Sequence, residues 1–154
     1  MDQRQRAAER IAGALAQAGM ARLPARMFAA LLVDDDGRMT SAELTKFLGA
    51  SAAGISGAVK YLLPVGLVRR EREPGSRRDV YVVDDDAWHT AMTRHDQLYG
   101  PIRAALAAGR DLLGEESPAD VRLDRAVQFL LFLEGELDGI LARWEVRRKE
   151  LGLD

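Results

Sequence analysis

Between Thr40 and Val83 the apolar residues of this chain change from a helical period to a strand-like one, and that switch constrains the fold more than any other feature. The run "TSAELTKFLGASAAGISGAVKYLL" holds two short helical periods joined by "GAS". Thr40 is placed to cap the first, with Glu43 three residues on completing a capping box, and Ser51 to cap the second. Gly49 closes the first helix, and Pro64 is expected to end the second. Directly afterwards "GLVRRERE" and "RRDVYVV" carry β-branched or charged runs joined by "PGS", a hairpin signature with Pro74 and Gly75 at the turn. Leu44, Leu48, Ile55, Val59 and Leu62 supply the apolar seam of a helix-turn-helix, and the hairpin would be its wing.

Helical segments flank this core. Asp2 to Ala18 is rich in alanine and stops at Gly19, and a second helix begins near Pro24 with "ARMFAALLV". Asp84 to Asp86 place acidic charge at the start of a long helix on which Trp88, Met92, His95, Tyr99, Ile102 and Leu106 recur at three- and four-residue steps. A kink is expected at Pro101. Ser117-Pro118 opens a last helix running to about Glu150. On it Leu130, Leu133, Leu137, Ile140, Leu141 and Trp144 form an apolar stripe, and Phe129 and Phe132 widen it beyond one face. A helix apolar over more than one face needs more than one partner, so these residues are read as a dimer seam.

The turn "LVDDDGRMTSAEL" also invites a calcium-loop reading, with Asp34, Asp36 and Glu43 at the third, fifth and twelfth positions around Gly37. That reading fails at the first position, where Leu32 stands in place of a carboxylate. As a turn into the next helix, the same residues need no ion.

Composition narrows the function. The chain has 154 residues, 47% hydrophobic and 30% charged, with no cysteine. Disulfides, thiolate zinc sites and a cysteine nucleophile are excluded. His89 and His95, six apart, do not share a helical face, and no metal site, cofactor or catalytic constellation is expected. The longest apolar run, "FLLFL", is far too short to cross a bilayer, and no secretory signal is evident, so a cytoplasmic protein that is not an enzyme is expected. Net charge is only −2, yet residues 69–78 hold five arginines against two glutamates. This concentrated basic spot on a hairpin points to double-stranded DNA. The rival class is a winged helix that binds another protein, which has no need of such charge at its tip.

From Gly19 to Val83 the residues "ARMFAALLV…GRMTSAELTKFLGASAAGISGAVKYL…GLVRRERE.PGSRRDVY" resemble the winged-helix core of MarR-type transcriptional regulators, nearest to the branch related to GbsR. The flanking helices fit the family's order without diagnostic residues. The resemblance implies a homodimer that binds a near-palindromic operator, acts as a repressor and is released by a small molecule. Carried over by position, Thr40, Ser41, Ser51, Ser56 and Lys60 would face DNA. Arg77 would reach the minor groove or its phosphates, and Arg78 would do the same or fasten the wing to the body. Arg70 and Arg72 extend this basic surface. The expected architecture is therefore mainly α with a small β-hairpin wing, a single domain over 1–154. Its winged helix-turn-helix core occupies 20–84, and 1–19 with 85–154 form a helical dimerisation region. One departure from the family stands out: Ala52, Ala53, Gly54 and Gly57 open the recognition helix, and such residues offer no bidentate bonds to bases. Trp88, Met92, His95 and Tyr99 form a stripe that would either line a pocket for a small apolar or cationic effector or fill the core.

Overall fold

The computed structural model describes residues 2–113 and 117–153. The protein is mostly helical with one small antiparallel sheet. In chain order the elements are α1 (Gln3–Gln17), α2 (Arg22–Leu32), β1 (Arg38–Thr40), α3 (Ser41–Leu48), α4 (Ala52–Val65), β2 (Arg69–Arg72), β3 (Asp79–Val82), α5 (Ala87–Met92), α6 (His95–Asp111) and α7 (Pro118–Glu150). They group into two compact units, one as far as Thr90 and one from Ala91 onward.

The first unit is built around α2. Its Met27, Phe28 and Leu31 are fully buried, together with Leu44 of α3 and Ile55, Val59 and Leu62 of α4. The apolar seam of the helix-turn-helix thus closes on α2. Helix α1 packs on the other side of α2 through Ala8 and Ala12. Two arginines fasten it. Arg26 donates from Nε to Glu9 at 2.8 Å, and Arg4 donates from Nε to the Val33 carbonyl at the end of α2 while pairing with Asp34.

The acidic turn works as a turn. Asp34 Oδ1 accepts the backbone N–H groups of Asp36 and Arg38 at 3.2 and 3.3 Å. Gly37 takes φ +61°, where any Cβ would also meet the Val83 carbonyl at 3.0 Å. Asp34 is therefore occupied by backbone donors and by Arg4, which leaves the calcium reading without its central ligand. Among the described residues no group of three or more metal-ligating side chains forms.

Three features differ from the sequence expectation. The wing is not a lone hairpin, because β1 pairs with β3 to give the order β1-β3-β2, with Arg38 opposite Val82 and Val82 opposite Arg69. Pro64 does not end α4 but sits in its last turn, and the helix closes on Gly66 at φ +81°. Proline forfeits one helical hydrogen bond yet keeps a helical φ, so the stop falls to the next residue able to turn left-handed. The long helix after Asp86 is broken at Thr93–Arg94 into α5 and α6, whereas α6 continues through Pro101. No residue of "MTRH" announces that break.

In the second unit α6 lies antiparallel along α7. Pairs step along the two helices in opposite directions: His95 Nε2 with Asp138 at 3.1 Å, Arg103 with Glu134 at 3.0 Å, and Arg110 with Asp120 at 2.7 Å. Ser117 caps α7 by accepting the Asp120 N–H. Among the described residues no single helix is long and apolar enough to cross a membrane.

Candidate nucleic-acid interface

Local chemistry sets the two helices of the motif. Thr40 Oγ1 accepts the Glu43 N–H, and the Glu43 carboxylate accepts both the Thr40 N–H at 2.7 Å and its hydroxyl at 2.8 Å. These two bonds, the backbone one first, hold the Glu43 carboxyl below its usual range. The lowered folded value means that this stabilisation is present above the ordinary carboxylate range and is lost as acid protonates the group. Helix α3 ends on Gly49 at φ +61°, and Ser51 then caps α4 by accepting the Gly54 N–H at 3.1 Å. The axes of α3 and α4 meet at a bend of 109°, within the range of a helix-turn-helix.

Helix α4 buries Ile55, Ala58, Val59 and Leu62 and exposes Ala52, Ala53, Ser56, Gly57 and Lys60. Its two early glycines play different parts. A Cβ on Gly54 would sit 3.0 Å from Leu23 Cδ2, so this glycine lets α4 approach α2. A Cβ on Gly57 would meet nothing within 4 Å. The outward face of α4 is thus smooth over its first turns, and its exposed polar side chains are Ser56, Lys60 and Tyr61.

The wing tip is held by its own backbone. Glu73 N–H donates to Arg78 O and Ser76 N–H to Glu73 O, both at 3.0 Å, and Ser76 Oγ accepts the Arg78 N–H at 3.1 Å. Its five arginines divide into two groups. Arg69 is tied to Asp84 at 2.8 Å and to Glu71, and Arg70 lies over the Tyr81 ring, 5.9 Å from its centroid, with Asp79 at 3.8 Å. Arg72, Arg77 and Arg78 are exposed, and their guanidinium groups have no partner among the described residues. Arg78 lines an open cleft of about 400 Å³ with Thr40, Ser41, Ala42 and Asp79. The fold therefore brings the start of α3 and a wing arginine to one place.

A family model described as MarR family matches residues 12–79, and a second, described as an MmpR5-like MarR family transcriptional regulator, matches residues 86–147. Between them they take in most of the chain. The chain resembles the MarR family over both stretches.

Two relatives agree with this resemblance. The HTH-type transcriptional regulator MmpR5 of Mycobacterium tuberculosis (strain ATCC 25618 / H37Rv) is 27% identical over 143 residues, covering 92% of this chain and 87% of that protein. A crystal structure described as a transcriptional regulator superposes with a TM-score of 0.83 at 25% identity, covering 94% of this chain and 99% of the other. Neither match names the GbsR-related branch. The family and the relatives that the chain resembles are transcriptional regulators and not enzymes.

The remaining expected residues fall in both units. Thr40 and Ser51 have their hydroxyl oxygens engaged as helix caps, which leaves Ser56 and Lys60 as the expected contact residues of α4 whose polar groups cap nothing. Trp88 lies in the first unit, half-exposed, with its ring edge-on to Phe28 at 5.4 Å. Met92, His95 and Tyr99 lie in the second. There His95 is buried, its Nε2 on Asp138 and its Nδ1 without a hydrogen-bond partner among the described residues. Of the α7 stripe, Leu137 is buried within the chain, Leu130, Leu133, Leu141 and Trp144 are half-buried, and Ile140 is exposed. The most open large apolar side chains on α7 are Phe132, Val146 and Phe129, at 64%, 60% and 59% exposure. The sequence did not single out Arg69 as the wing's anchor or Glu71 as its counter-charge. Strand alternation in "RRER" carries that signal, since it sets Arg69 and Glu71 on one face and Arg70 and Arg72 on the other.

Proposed function

We propose that the protein is a cytoplasmic homodimeric repressor that binds a near-palindromic operator and releases it on binding a small apolar or cationic molecule. The observation that carries the DNA reading is the set of unpaired cations Arg72, Arg77 and Arg78 on a wing beside a helix-turn-helix. Cations left unmatched on a protein of net charge −2 suit phosphate or a minor groove. Two-fold assembly is supported by the family, whose regulators bind DNA as dimers, and by Phe129, Phe132 and Ile140 standing open on α7 with Leu98 and Ile102 open on α6. The kinship with the GbsR-related branch rests on residues 19–83 alone.

Enrichment of a random duplex pool by the purified protein tests this function. The expected product is a near-palindrome with two half-sites about one helical turn apart, as two-fold heads require. A pool that stays unenriched at low salt rules the operator out.

The effector reading concerns Met92, His95 and Tyr99, with Trp88 preceding them in the chain. A ligand shifts the equilibrium only if it prefers one spacing of the DNA-binding heads. His95→Ala and Tyr99→Ala are expected to weaken the response of operator binding to an effector. Unchanged response in both variants, measured by titration, moves the pocket elsewhere.

A further inference from the structure

Alternation along β2 gives the wing two electrostatic faces. On one, charges form a chain: Arg38 of β1 lies 3.7 Å from Glu71, Glu71 pairs with Arg69, and Arg69 reaches Asp84 at 2.8 Å. Two cations are thus matched by two carboxylates. On the other face and at the tip, Arg72, Arg77 and Arg78 remain unmatched. All four side chains of the chain are partly exposed, and such pairs contribute little to stability. Their electrostatic reach is larger. Arg69 and Arg72 are three strand residues apart, about 10 Å, which is close to the Debye length at moderate salt.

We propose that Glu71 determines specificity by holding Arg38 and Arg69 away from phosphates, which keeps sequence-independent DNA binding weak. The inference rests on the reading of the wing as a DNA-contacting element. In a non-specific complex nearly all affinity comes from phosphate neutralisation, so two freed arginines act there in full. In the operator complex the seat of the wing is set by base and groove contacts, and the freed side chains reach phosphate only where that seat allows. Removing the Glu71 charge therefore favours random DNA over the operator.

Binding of wild type and Glu71→Gln to a mixed-sequence duplex at several salt concentrations tests the idea, with thermal melting as a control on folding. The variant is expected to bind several-fold more tightly at low salt, with a log–log salt slope steeper by about 1–2 per protomer, since each phosphate neutralised adds about 0.9. Adding Arg38→Ala should return the slope by about one per protomer. Should Glu71→Gln not melt cooperatively, Glu71→Ala must give the same gain in slope. Unchanged affinity and slope in the folded variant overturn the proposal, as does a gain that survives removal of both arginines. Such results on a wild type that binds DNA remove this inference alone. Wild type that binds no duplex at low salt removes the DNA reading as well.

Discussion

Replacing Arg77 and Arg78 together by alanine is expected to weaken operator binding by about 1–3 kcal/mol for each side chain that enters a groove, while thermal stability stays near wild type. Neither guanidinium has a partner within the described fold, so their loss breaks nothing that holds the wing. The tip keeps its shape through backbone bonds and Ser76. If the two arginines touch only phosphate, the loss is nearly uniform across sequences and the salt slope falls by about one for each per protomer. Isotherms on operator and scrambled duplexes at several salt concentrations separate these cases. Operator affinity equal to wild type in the double variant would return sequence reading to Ser56 and Lys60 on α4.

Assembly is the second place where a large effect is expected. Phe129→Glu with Phe132→Glu should convert a dimer into a folded monomer at micromolar concentration and reduce operator binding below detection. Each buried phenylalanine contributes about 1.5–3 kcal/mol, and a two-fold interface counts every substitution twice. The association constant then falls by several orders of magnitude before charge repulsion is added. Because both rings are more than half exposed in the single chain, helical content should be unchanged. Leu137→Ala serves as the contrast. That side chain is buried within the chain, so its loss lowers the stability of the protomer, by about 2–5 kcal/mol for a core leucine. Sedimentation and circular dichroism on the two variants tell the cases apart. A dimer that survives both glutamates would place the seam on another face.

What the sequence made legible was local. The Thr40–Glu43 capping box, the Ser51 cap, the Gly49 stop and the turn at Gly37 each depend on residues within a few positions of one another. The seam from Leu44 to Leu62 was visible because helical periodicity needs no partner to be read. What stayed hidden depends on distant residues. Strand β1 exists because Met39 finds Tyr81 across the sheet, and three residues of "RMT" carry no period of their own. Which wing arginines are free depends on Asp84 and Tyr81, and only the fold brings these alongside. The inward turn of Leu137 and the outward turn of Phe129 depend on where α6 lies, and periodicity over a widely apolar helix cannot choose between faces. Pro64 misled because a stop signal near a helix end competes with a glycine two residues later.

Sedimentation equilibrium of the wild-type protein, first alone and then with the duplex that it enriches from a random pool, tests the central claim most directly. The predicted result is a species of about twice the 16.9 kDa chain mass, which then joins the duplex as one dimer per near-palindrome. A monomer that leaves the duplex unbound at low salt would contradict it.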